Sequence, residues 1–186
     1  MVIPTLDYLK ALTWVSRKQV WKECKNKVNV YSTNLCMTLP ANGIGIDPGR
    51  NWGVAVVWKS GEVMLWQGRF IDREDKMYGI SSREIIMNKL RYEFPGVANS
   101  LVEGASYGDT YGQVPLAEIR FGFYTALKDL QYPVEYIPPS STRKFIFGKG
   151  TIQPMDIWID INHNAADAFS IALAASEGWK KSIDIV

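Results

Sequence analysis

From Gly43 to Trp58 the chain reads GIGIDPGRNWGVAVVW, in which Ile44 and Ile46, then Val54 and Val56, alternate with small or apolar residues. That patterning predicts two strands with a covered face. Pro48 and Gly49 end the first strand directly after Asp47, and Gly53 sits just inside the second, where a turn or a ligand comes close. Lys59-Ser60-Gly61 is a further turn and Glu62 to Phe70 a third strand, so the three strands form an antiparallel meander. Upstream, Thr5 as a cap and Leu6, Leu9, Leu12 and Val15 at near-helical spacing predict a helix from residue 1 to about 27. Ser32 to Asn42 has no sustained period and reads as a connector.

Downstream of the meander, Ser81-Ser82-Arg83-Glu84 has the pattern of a capping box opening a helix through Tyr92, halted by Pro95. Asn99 to Glu103 is a fourth strand; because it follows a helix, it joins the sheet by a crossover, parallel to the first strand. Gly104 to Val114 is a loop rich in Gly and Tyr, and Leu116, Ile119, Phe123, Leu127 and Leu130 form one stripe of the next helix. Val134 to Ile137 is a fifth strand, Pro138-Pro139-Ser140-Ser141 caps the basic segment TRKFIFGKG, and a last helix runs from about Asn164 to Gly178. The expected fold is α/β: a mixed five-stranded sheet, three antiparallel strands first and then parallel ones, flanked by helices. Residues 1–41 form a helical extension and connector, and residues 42–186 the main domain.

With 186 residues, 47% of them hydrophobic, one domain with a sizeable core is expected. No apolar run approaches a membrane span and the first residues lack a secretory core, so a cytoplasmic protein is the default. Cys24 and Cys36 lack metal-site spacing and support neither a disulfide scaffold nor a zinc site. The net charge of +2 permits a nucleic-acid partner without demanding one. Arg17, Lys18, Lys22, Lys25 and Lys27 crowd the end of the first segment, either as a solvated helix terminus or as phosphate contacts.

Three acids stand out. Asp47 ends the first strand inside an apolar run, either capping its turn or binding a cation; Glu103 ends the fourth strand in the same way. If those strands are parallel neighbours, both carboxylates emerge at the carboxyl edge of the sheet, where open α/β sheets place their sites. Asp167 lies in NHNAADAFSIALAA, a helix small enough on its surface to pack tightly on the sheet. His163 and Asn164 share its helical face and offer a fourth ligand, or else cap the helix together with Asn162. Carboxylates gathered this closely take up protons unless a divalent cation sits among them, and oxygen ligands suit magnesium or manganese. Arg143, Lys144 and Lys149 make a basic cluster suited to phosphates or simply solvated.

IGIDPG followed by GVAVV, then LVEGA, then NAADAFSIALA, resembles the RuvC family of Holliday-junction resolvases within the RNase H-like nuclease superfamily. FGKGT at Phe147 to Thr151 is similar to the turn that precedes the last helices of that family. The resemblance implies a magnesium-dependent endonuclease of DNA recombination and repair, nicking four-way junctions as a homodimer. Two Mg2+ ions, with Mn2+ as a substitute, would be bound by Asp47, Glu103 and Asp167. Tyr107 and Tyr111 would occupy the loop where the family places an aromatic that stacks on an unpaired base. Two departures stand against the pattern. Asn164 occupies the position where the family usually has Asp or His, with His163 one residue earlier, and only TIQPMDIWIDINH separates FGKGT from the last helix. Asp156 and Asp160 in that stretch read as loop or cap residues. Asn164 also keeps open a non-catalytic nucleic-acid-binding protein on a decayed nuclease fold, beside a nuclease acting on other branched DNA or on RNA.

Overall fold

The computed structural model describes residues 4–21, 26–70, 78–105 and 113–180. Thr5 caps a helix as expected, its hydroxyl accepting from the Tyr8 backbone N–H at 3.3 Å, but that helix, α1 (Leu6–Lys10), lasts little more than one turn. The chain then becomes extended as β1 (Val15–Trp21) and β2 (Asn26–Asn34), an antiparallel pair. The helix expected to residue 27 is thus corrected to a short helix and a hairpin. The reason lies in VSRKQVW and NKVNVYSTN, whose β-branched and aromatic residues lose rotamer freedom in a helix and pack well on a pleated surface.

The meander is present as β3 (Gly43–Asp47), β4 (Asn51–Val57) and β5 (Glu62–Arg69). Between β5 and β6 (Asn99–Glu103) lie α2 (Tyr78–Glu84) and a π-helical continuation, Ile85–Leu90. Ser81 is not the cap expected of it: the chain is already helical at Tyr78, so Ser81 falls in the second turn, beyond the first-turn donors that a capping box serves. After α3 (Gln113–Asp129) come β7 (Val134–Ile137), α4 (Pro139–Phe147), the single turn α5 (Pro154–Ile157) and α6 (His163–Ser176). β6 runs parallel to β3 with Val102 beside Ile46, and β7 runs parallel to β6. The sheet order is β1-β2-β5-β4-β3-β6-β7. The strand count rises from the expected five to seven because β2 pairs with β5 and carries β1 with it. Arg17 and Lys18 therefore lie exposed on an edge strand, where charge discourages pairing with another chain.

Each face of the sheet buries its own core. On one side α6 packs with Leu9, Leu35, Trp158 and Phe169. The first residues are tied in there: Trp158 Nε1 donates to the Leu9 carbonyl at 2.9 Å, and Trp14 meets Phe169 edge-on at 5.2 Å. On the other side Ile85, Ile86 and Phe123 cover Ile44, Ile46 and Trp52. Among the described residues no helix is long and apolar enough to cross a membrane.

The contact that positions the site is that of α6 on β3. A Cβ placed on Gly45 would fall 2.2 Å from the Ala172 backbone nitrogen and 2.3 Å from the Ala168 carbonyl oxygen. Glycine is therefore required by the approach of helix to strand, not by its own conformation. Both clashing groups are backbone, so Gly45→Ala can be relieved only by lifting the helix. We expect it to lower the free energy of unfolding by about 3 kcal/mol, read from the denaturation midpoint.

Candidate active site

Two parallel strands and one helix bring the acids together. Asp47 is the last residue of β3 and Glu103 the last of β6, and the register that sets Ile46 beside Val102 puts both at one sheet edge. Alternation then points them to the face that α6 covers, because Gly43 and Gly45, four and two residues before Asp47, lie directly beneath that helix. Asp167, on the second turn of α6, is buried beside them. Asn162 caps α6, its side chain accepting from the Asn164 backbone N–H at 3.2 Å.

Both candidates for a fourth ligand line the cleft, in different settings. His163 Nδ1 lies 3.2 Å from an Asp167 carboxylate oxygen, and one ligand atom each from Asp47, His163 and Asp167 falls within 4.8 Å of the others. Asn164 also faces the cleft, but its amide nitrogen donates to the Asn51 carbonyl of β4, while its oxygen lies 3.4 Å from His163 Nδ1. Arg143, on α4, stands 3.9 Å from the other oxygen of Asp167. Lys144 and Lys149 are exposed and not part of the cleft wall. Asp156 and Asp160 are likewise exposed and away from the cleft; Asp160 lies in a turn as expected, but Asp156, read as a loop or cap residue, falls within α5, whose cap is Gln153. Tyr107 and Tyr111 lie outside the described residues. Gly148 ends α4 in the left-handed conformation at φ 76°, which gives the FGKGT turn its glycine.

Above the acids opens a cleft of about 470 Å³. Gly49, Arg50 and Asn51 of the β3–β4 turn form one wall, and Pro139 and Arg143 of α4 another. Arg50 was not singled out from sequence, although its place immediately after Asp-Pro-Gly is a signal, since that turn follows a strand's carboxyl end. Arg120 of α3 was also missed; its charge reaches Asp47 and Glu103 from across the sheet.

All three acids resist ionisation. Burial pushes Asp47 well above the carboxylate range, and the charges of Glu103 and Asp167 add to it. Burial, with the Asp167 charge behind it, lifts Glu103 to about 7. Asp47 and Glu103 are hydrogen-bonded to each other, which two carboxyls manage only by sharing a proton. Asp167 is raised by burial, against which His163 and Arg143 pull it down. The donor set fits a divalent cation. Carboxylate oxygens of Asp47 and Asp167 and one imidazole nitrogen of His163 gather within 4.8 Å of one another, and the acids' reluctance to ionise marks negative charge that nearby arginines leave uncompensated.

A mixed sheet of this order, with parallel strands ending in acids beneath a C-terminal helix, defines an RNase H-like α/β fold. Within that class the fold is RuvC-like. The Thermus thermophilus RuvC structure in complex with Holliday junction substrate aligns with a TM-score of 0.50 at 18% identity, covering 72% of this chain and 90% of that one. A second Thermus thermophilus RuvC structure gives a TM-score of 0.48 at 19% identity, covering 70% and 90%. No protein-family model and no curated protein sequence matches the chain.

Proposed function

We propose that this protein is a metal-dependent, structure-selective endonuclease that nicks four-way DNA junctions by hydrolysing phosphodiesters. The observation that carries the reading is the convergence of Asp47, Glu103, Asp167 and His163 on the floor of an open cleft whose walls carry arginines. The sequence motifs, and the fold shared with a resolvase bound to its junction, support a junction as the substrate. Asp47, Glu103, Asp167 and His163 would hold magnesium, with manganese as a substitute, and such ions supply a water nucleophile at neutral pH and charge stabilisation for the departing oxygen.

The chain's own residues do the rest. Arg50 and Arg143 stand where a phosphate over the acids would lie, and a guanidinium grips phosphate in two directions at once. Arg143, close to Asp167, holds that carboxylate toward its ionised form, the form a cation requires. Lys144 and Lys149 extend the positive charge along and past α4, toward phosphates flanking the cut. Tyr107 and Tyr111 would stack on a base opened at the junction. Paired nicks in strands of like polarity call for two sites related by a two-fold axis, hence a homodimer.

The test is cleavage of a synthetic four-way junction by the purified chain, with and without magnesium. Paired nicks that vanish in chelator establish the reading. Tight junction binding without cleavage in either magnesium or manganese would make the chain a binding protein instead, and preferential cutting of flaps, forks or RNA would redirect the substrate.

His163 should matter more than Asn164. Removing the imidazole in His163→Ala is expected to raise the magnesium concentration for half-maximal cleavage by about tenfold. Asn164→Asp breaks the bond to the Asn51 carbonyl and sets a carboxylate against that oxygen, so it should lower the melting temperature without improving metal use. Magnesium titrations of both variants decide this; a silent His163→Ala with an Asn164→Asp that needs less magnesium would transfer the ligand role to position 164.

A further inference from the structure

Around the edge of β7 from the cleft lies a second surface that the acids do not explain. Tyr136 of β7 and Tyr124 of α3 stack face to face, with ring centroids 4.8 Å apart and planes 15° from parallel. Lys128 sits 5.7 Å from the centre of the Tyr124 ring. Arg120, Tyr124 and Lys128 recur every four residues on α3, so they form one stripe about 12 Å long. Tyr136 remains 41% exposed although two rings pack there, and Phe121, on the turn before Tyr124, is 65% exposed. Arg120 Nε is buried without a hydrogen-bond partner among the described residues. Burial and Tyr124 push the Tyr136 phenol up while Arg120 opposes them, and the same guanidinium acts on Asp47 and Glu103. Arg120 is thus within electrostatic reach of both the ring pair and the acids. Tyr136 lies three residues before Pro139, which lines the cleft, but on the face of the sheet that α3 covers, whereas the acids point to the α6 face. Glu135, the exposed acid next to Tyr136, lies on the other side of the sheet, beside Trp179 and Ala175.

Rings interleaved with cations suit an unpaired strand: bases stack on the rings and phosphates meet the cations. We propose that Arg120, Tyr124, Lys128 and Tyr136 form a platform for single-stranded DNA that holds an unpaired stretch of the substrate. The platform rests on the nuclease reading for its purpose, but its binding is measurable apart from cleavage.

The experiment is fluorescence anisotropy in chelator, so that no strand is cut, with labelled oligothymidylate and a blunt duplex of equal length. Tyr136→Leu keeps apolar volume but loses the ring, and should weaken oligothymidylate binding by about tenfold while leaving duplex binding unchanged. Tyr136→Phe should restore it, since only the ring face is used. Lys128→Gln, at an exposed position where folding is not at stake, should reduce the slope of affinity against salt by about one phosphate contact. Equal oligothymidylate affinity in Tyr136→Leu and the parent, or an unchanged salt slope in Lys128→Gln, would overturn the platform. So would a change from dimer to monomer in Tyr136→Leu by sedimentation, which would make this face an interface between copies. A chain that binds oligothymidylate through these residues yet never cleaves a junction with metal would keep the platform and sink the nuclease reading; the converse result would do the reverse.

Discussion

Asp47→Asn is expected to lower magnesium-dependent junction cleavage by about 10³-fold and, without metal, to leave a protein that melts higher than its parent. Both effects have one origin. Asp47 is buried against Glu103 and Asp167, so its charge is useful only with a cation beside it and costly otherwise. The amide has the same volume and no charge to desolvate. Glu103→Gln and Asp167→Asn should behave alike in cleavage, because each removes one charge from the same cluster. Junction binding should persist in all three, since the basic residues are untouched. The measurement is a single-turnover cleavage assay paired with melting curves in chelator; any one of the three retaining near-parental cleavage at saturating magnesium would remove that residue from the site.

The second large effect is a stability that falls as pH rises when metal is withheld. Glu103 ordinarily titrates near 4.5 and is lifted to about 7 in the folded chain, while Asp47 and Asp167 are raised as well. Below the ordinary value all these groups are neutral in both states and the site costs nothing. Above it the unfolded chain ionises freely and the folded chain resists, so the penalty at Glu103 grows as pH climbs toward about 7 and is complete above it, and Asp47 and Asp167 add to it in the same direction. For Glu103 alone the shift from 4.5 to about 7 corresponds to a cost on the order of 3 kcal/mol. In chelator the melting temperature should therefore be roughly 5 to 10 °C lower at about pH 8 than at about pH 5.5. Magnesium should recover most of that loss at the higher pH and little at the lower, where protons already occupy its place. A melting temperature that is flat or rising across this interval in chelator would contradict the buried-charge account.

The acids were legible in the sequence because each sits where the chain pattern breaks: Asp47 and Glu103 at strand ends cut off by Pro or Gly, and Asp167 among alanines that a surface helix would not need. The parallel pairing of β3 and β6 followed from the helix between them, and with it the convergence of two carboxylates far apart in the chain. The first hairpin was not legible. Leu6, Leu9 and Leu12 carry a true helical signal, but it belongs to a helix that stops at Lys10, and β1 is exposed along most of its length, so no period of two survives in its sequence. Arg120 escaped for a different reason. An arginine on a helix reads as solvated, and only the folded sheet shows that its charge reaches acids on the opposite face. The bond from Asn164 to the Asn51 carbonyl joins partners more than a hundred residues apart, and no local pattern announces it.

The docking of α6 over Gly43 and Gly45 bears on how the protein comes into being. Asp47 is made early and Asp167 late, and nothing but the seating of that helix joins them. A nascent chain that still lacks α6 can pair β3 with β4, yet it holds neither the imidazole nor the third carboxylate. Because contacts between segments so distant in sequence form slowly, any metal affinity of the site should appear only once α6 has been made and seated.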